Sequence, residues 1–82
     1  MAYIYIAIGP YCWGKGSKQQ QAVRALQEAW PTFLPRTGTF AVYRCPEGSR
    51  VTNEGAIAYP INQTAPELVR KYVQGERVQE AA

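Results

Sequence analysis

The first apolar segment of the chain alternates in a period of two residues. Over residues 2–8, Ile4, Ile6 and Ile8 fall on one side, while Tyr3, Tyr5 and Ala7 fall on the other. Side chains of a β-strand point to opposite faces in turn, and β-branched and aromatic residues favour a covered strand. The pattern predicts a strand whose isoleucine side faces the core and whose tyrosine side faces away from it.

The next apolar positions follow a helical period instead. They form one stripe spaced i, i+3, i+4, i+7, i+8: Ala22, Val23, Leu26, Ala29 and Trp30. Ser17 with Gln20 three residues later matches a capping box, and Pro31 disfavours a helical residue before it. These signals predict a helix from Ser17 to about Trp30.

The second half of the chain contains two further strand patterns and one further helical pattern. A strand is predicted over Thr39–Cys45, then a turn at residues 46–49, then a strand interrupted near residues 53–55 and strongest at residues 56–61. A second helix is predicted from Thr64. Glu67 would complete its capping box, its buried face would be Leu68, Val69, Tyr72 and Val73, and Gly75 would end it.

Together these elements predict an α+β fold in the order β-α-β-β-α. Because each helix carries one apolar stripe, the compact arrangement is a two-layer sandwich, with two helices on one face of a three-stranded sheet. The arrangement corresponds to a ferredoxin-like fold without its last strand. We expect one domain over residues 1–75 and a flexible C-terminal tail over residues 76–82.

Composition limits the classes of protein to consider. The 82 residues are 46% hydrophobic and 18% charged, which is typical of a globular chain, with a formal net charge of +3. The longest apolar run is too short to cross a bilayer and has no basic segment before it. We expect a cytoplasmic protein without membrane contact, and its short length is common among phage and mobile-element proteins.

The segment "GPYCWGKGS" at residues 9–17 is similar to a phosphate-binding loop. Gly9, Gly14 and Lys15 fit that pattern, but Gly16 stands where the hydroxyl residue is required. The chain also has no Asp to help hold magnesium, which argues against nucleotide hydrolysis. Two alternatives remain: a simple turn leading into a capped helix, or an anion nest formed by the amides of Gly14, Gly16 and Ser17.

The sequence supplies few groups for catalysis or metal binding. It contains no His, and its acidic residues are six Glu at positions typical of helix surfaces, turns and the tail. Cys12 near a helix start is a conceivable nucleophile without a His base, and Cys12 with Cys45 is too small a set for zinc. We expect no enzyme, no cofactor and no metal. The two cysteines are expected as thiols, with a disulfide as the alternative.

Binding is better supported by the sequence. If the isoleucines face the helices, Tyr3, Tyr5 and Tyr43 would share an open aromatic sheet face. Three alternatives remain for this face. It contacts another protein or a second copy of this chain, it stacks the bases of single-stranded nucleic acid, or it is covered by the tail or by the loop containing Phe33. Trp13 in the glycine-bounded loop would either anchor that loop or contact a partner.

We therefore predict a small non-catalytic accessory protein that binds another protein, possibly itself as a homodimer. The predicted contact residues are Tyr3, Tyr5, Tyr43, Trp13, Lys15 and Tyr11. The second prediction is a single-stranded nucleic-acid-binding module that uses the same face, with Arg44, Arg50 or Lys15 at the phosphates.

Overall fold

A computed structural model describes residues 3–34, 38–74 and 78–80 of the chain. It contains an antiparallel sheet in the order β2-β1-β3-β6-β7, a separate two-stranded sheet of β4 and β5, and a helix, α1. The elements are β1 Tyr3–Ile8, β2 Trp13–Gly16, α1 Gln19–Ala29, β3 Gly38–Pro46, β4 Arg50–Val51, β5 Ile57–Ala58, β6 Glu67–Gln74 and β7 Val78–Glu80.

The predicted β-α-β-β-α sandwich is wrong. Residues 13–16, predicted as a loop, form β2 and pair with β1. The segment predicted as a second helix is β6, which pairs with β3. The described residues therefore have one helix on a mainly antiparallel sheet, rather than two helices on a three-stranded sheet. Of the predicted C-terminal segment, residues 78–80 form β7; Gly75 and residues 76, 77, 81 and 82 lie outside the described residues.

A β-bulge explains why β6 has a helical apolar pattern. The register of β6 on β3 shifts between Val42 and Tyr43, so that Arg70 is opposite Val42 but Leu68 is opposite Tyr43. The extra residue, Val69, breaks the two-residue alternation that identifies a strand. The apolar spacing that results also fits one face of a helix. Pairing with β3 decides in favour of the strand over the helix. The ring of Tyr72 in β6 also stacks on Phe40 in β3, with centroids 5.0 Å apart.

The segment between β3 and β6 leaves the main sheet. The predicted turn at residues 46–49 is confirmed: the Ser49 amide donates to the Pro46 carbonyl at 3.2 Å, and Gly48 has a φ of +94°. The chain then forms the short β4–β5 hairpin instead of pairing with β3. The predicted interruption near residues 53–55 is the turn of that hairpin, closed by the Thr52 amide donating to the Ala56 carbonyl at 2.8 Å.

The predicted first helix is confirmed, with a different N-terminus. Lys18 is the N-cap and makes no side-chain capping hydrogen bond. The Ser17 hydroxyl and amide both donate to the side-chain oxygen of Gln21, at 2.7 and 3.0 Å, so Ser17 with Gln20 is not the capping pair. At the other end, Trp30 before Pro31 has an extended ψ of 124°, as expected for a residue that precedes proline.

Helix α1 lies directly on the backbone of β2. A Cβ atom placed on Gly14 would fall well inside contact distance of the Leu26 amide nitrogen and the Ala22 carbonyl oxygen, and one on Gly16 would lie 2.5 Å from the Gln21 Cβ. The glycines thus permit a contact between helix and strand that no larger residue allows. The element that approaches these two glycines closely is α1.

The helix determines which face of the sheet is which. Ala7, Phe40 and Val42 form one buried cluster with the helical residues, and Tyr5 and Tyr72 pack against it. The tyrosine and alanine side of β1 therefore faces α1, which is the reverse of the predicted facing. At the closest point of the helix contact this side presents small residues, Ala7 opposite Gly14.

The isoleucine side of β1 is also covered. Ile6 and Cys45 are 0% exposed although α1 lies on the opposite face. The segment that carries β4 and β5 lies over this second face, where its Ile57 lines a small cavity together with Ile8 and Tyr43. Phe33, whose loop was one predicted cover of the tyrosine face, is 85% exposed.

The connection through α1 is a split crossover. Strands β2 and β3 are both antiparallel to β1, so they run parallel to each other with β1 between them. Helix α1 thus connects β2 to β3 across β1.

Replacing Gly14 with Ala tests the packing of helix on strand. We expect the free energy of unfolding to fall by about 3 kcal/mol, because the added methyl group overlaps helix backbone that cannot move without displacing α1. Urea denaturation followed by circular dichroism measures the loss. The control is Gly55→Asn: Gly55 has a φ of +81° and no atom within 4 Å of an added Cβ, so its loss should stay below about 1 kcal/mol. Equal small losses in both variants would contradict the packing.

Candidate functional site

The three tyrosines predicted as one surface do not share a face. In the register of β1 and β3, Tyr5 is opposite Arg44, whereas Ile6 is opposite Tyr43. Tyr3 and Tyr5 therefore lie on the helix side of the sheet, and Tyr43 lies on the side covered by the β4–β5 segment. The cause of this error is the assumed facing of β1: Phe40 and Val42 of β3 face α1, but the isoleucines of β1 do not.

Tyr3 belongs to a small polar cluster at the end of the sheet. The guanidinium of Arg44 lies 5.0 Å from the centroid of the Tyr3 ring and donates to a carboxylate oxygen of Glu67 at 2.7 Å. The hydrogen bond and the negative charge of Glu67 raise the pKa of Arg44. Because both side chains of the ion pair are well exposed, the cluster contributes little to stability.

Two of the predicted contact residues, Tyr11 and Trp13, lie at the β1–β2 turn and are the most exposed aromatic residues of the predicted set. The turn is closed by the Gly9 amide, which donates to the Cys12 carbonyl at 2.9 Å. Tyr11 is 49% exposed and Trp13 is 47% exposed. The Tyr11 ring meets buried Trp30 edge to face, with centroids 5.6 Å apart. Tyr11 thus anchors the turn on the core and keeps about half of its surface in solvent.

This turn forms one wall of a cleft. Residues 8–13 line one side and residues 51–55, from the β4–β5 turn, line the other; the enclosed volume is about 560 Å³. We name it the Trp13 cleft. Among the described residues that line the cleft, Glu54 is the charged one, and Thr52 and Asn53 add polar groups. The sequence did not indicate this opposite wall, because the two turns are far apart along the chain.

Lys15 and the predicted anion nest lie further along β2. Lys15 is exposed and falls on the same face of β2 as Trp13, two residues away. Gly14 and Gly16 pair with β1, and the Ser17 amide donates to Gln21. The amide of Ser17 is therefore already engaged, and the geometry gives the nest no support.

Both cysteines are thiols in this structure. Cys12 is half-buried in the Trp13 cleft, and its thiol donates to the Leu26 carbonyl at 3.4 Å. Cys45 is completely buried on the opposite face of the sheet, and burial raises its pKa. The two thiols thus differ in access to reagents.

The described residues provide no group of three or more His, Cys, Asp or Glu side chains positioned to hold a metal ion. Over the same part of the chain, no helix is long and apolar enough to cross a membrane. Comparison with protein family models, with curated proteins and with solved structures finds no match to this chain.

Thiol labelling tests the placement of the two cysteines. With an aromatic disulfide reagent at pH 8, we expect one thiol to react in the folded protein and the second only after denaturation. Burial excludes the reagent from Cys45, and its raised pKa lowers the fraction of reactive thiolate. The variant Cys12→Ser should abolish the fast phase. Rapid labelling that persists in this variant would contradict the burial of Cys45.

Proposed function

We propose that this protein is a small, non-catalytic accessory protein that binds another protein through the Trp13 cleft. The observation that carries the proposal is the pair of half-exposed aromatic residues, Tyr11 and Trp13, held on a packed turn at the edge of the cleft. Exposed tyrosine and tryptophan beside a concave surface are typical of the centres of protein interfaces.

The packing of the turn supports binding by reducing its entropic cost. Contact with Trp30 orients the ring of Tyr11, and pairing with Ile8 orients the backbone of Trp13. A partner would therefore meet aromatic side chains whose positions are largely set before binding, so less conformational freedom is lost on association. Burial of the exposed part of Trp13 would then contribute directly to affinity.

The proposed surface differs from the one that the sequence predicted. Trp13 and Tyr11 remain in it and Lys15 lies beside it. Tyr3 and Tyr5 lie on the opposite face of the sheet, and Tyr43, although on the same face as Trp13, does not line the cleft. The nucleic-acid prediction needed tyrosines and basic residues on a single open platform. No feature of the described residues favours it, since Tyr5 packs against the core and Arg44 is paired with Glu67.

We further propose that the protein acts stoichiometrically in the cytoplasm. The proposed partner is either a different protein or a second copy of this chain, and the same cleft would serve both. The mass of a crosslinked product separates these two cases.

A photocrosslinking amino acid at position 13 tests the proposed contact. We expect benzoylphenylalanine in place of Trp13 to crosslink to a partner protein in the cells from which the chain derives. The same amino acid at Phe33, which is exposed outside the cleft, should not produce that product. Mass spectrometry of the product identifies the partner. A product of twice the mass of this chain would identify self-association.

Calorimetry with the purified partner then measures the contribution of the cleft. Trp13→Ser should weaken binding at least about tenfold, because central aromatic residues dominate interface energies. Phe33→Ser removes another large exposed aromatic residue and should change affinity less than about twofold. Unchanged affinity in Trp13→Ser, or equal loss in both variants, would refute the proposed function.

A further inference from the structure

We propose that the Trp13 cleft accepts an arginine side chain of the partner. This inference rests on the proposed function and specifies the chemistry of that contact. The cleft combines two half-exposed aromatic side chains, Tyr11 and Trp13, on one wall with the carboxylate of Glu54 on the other. A guanidinium can stack on an aromatic face while it donates to a carboxylate.

The carboxylate of Glu54 is available for such a contact. Among the described residues, the ion pair is formed by Arg44 and Glu67 and does not involve Glu54. The side chain of Glu54 is exposed. Its turn is held in place: the Gly55 amide donates to the Thr52 carbonyl at 3.0 Å, and the Ala56 amide donates to the Thr52 hydroxyl at 3.2 Å. The turn thus holds a negative charge on the wall that faces the aromatic residues.

The chain itself already contains this combination of groups. At the other end of the sheet, Arg44 lies over the ring of Tyr3 and donates to Glu67. There the aromatic ring, the guanidinium and the carboxylate all come from one chain. In the Trp13 cleft the aromatic residues and the carboxylate are present, and the partner would provide the guanidinium.

Other charges near the cleft affect the strength of the contact. Lys15 lies on the same face of β2 as Trp13, and Arg50 precedes Val51, which lines the cleft. The net charge of +3 also opposes a basic partner at long range. At physiological salt these effects are screened beyond about 8 Å, so the contacts inside the cleft determine selectivity. Removal of Lys15 should tighten binding of a cation.

A pair of short peptides tests the inference without the partner. The probes are acetyl-Gly-Arg-Gly-amide and the same peptide with citrulline, which has the shape of arginine without its charge. Indole N–H signals of Trp13 and Trp30 are followed by NMR. We expect the arginine peptide to shift the Trp13 signal with millimolar affinity. The Trp30 signal should shift less than the Trp13 signal, since Trp30 is 2% exposed and meets the cleft only through the ring of Tyr11. Citrulline should bind at least about threefold more weakly, from loss of cation–π and ionic contacts.

A matched pair of glutamate variants tests the role of the carboxylate. Glu54→Gln should weaken binding of the arginine peptide about threefold and leave the citrulline peptide unchanged. Glu47→Gln removes the same charge from an exposed turn outside the cleft and should have no effect. Equal binding of the two peptides, or equal effects of the two variants, overturns the inference.

The two proposals fail in distinguishable ways. Suppose that the arginine peptide does not shift the NMR signal of Trp13, but that Trp13→Ser weakens binding of the partner identified by crosslinking. The cleft is then a protein contact, and the arginine inference is wrong. If Trp13→Ser retains the partner, the proposed function is wrong. A shift of Trp30 equal to that of Trp13 would show a general change of conformation and would also overturn the inference.

Discussion

The contact between α1 and β2 is the constraint on which the rest of the structure depends. Gly14 and Gly16 present only backbone to the helix, and Ala22 and Leu26 lie directly against it. The attraction between closely packed atoms is small for each pair but large over a whole helix surface. A side chain at either glycine would separate the two elements and open the core between Leu26 and the sheet.

The face that the helix occupies decides what covers the other face. Because α1 lies on the tyrosine and alanine side of β1, no helix covers the isoleucine side. Burial of Ile6 and Cys45 therefore needs another cover. The chain between β3 and β6 provides it by leaving the main sheet and forming the β4–β5 hairpin. The turn of that hairpin comes to lie beside Trp13, and the cleft between the two turns is a consequence of this cover.

The candidate site could be predicted only in part. Tyr11 and Trp13 were recognisable because large aromatic residues in a glycine-bounded turn are costly to expose without a purpose. Glu54 could not be recognised as their neighbour, since a glutamate in a turn is ordinary and the two turns are joined only by tertiary packing. The tyrosine surface failed because β1 is apolar on both sides, so its alternation gives two faces without saying which one a helix covers.

The sequence by itself determined the elements whose signals are local. The first strand, the amphipathic stripe of α1, its end before Pro31 and the turn at residues 46–49 all follow from periodicity, proline geometry and glycine conformation. Only the tertiary structure decided that the segment of β6 is a strand. The bulge at Val69 conceals its alternation, and the free edge of β3 provides hydrogen-bond partners that a helix would not use. The same non-local pairing fixed which side of β1 is covered by α1 and brought Glu54 to Trp13.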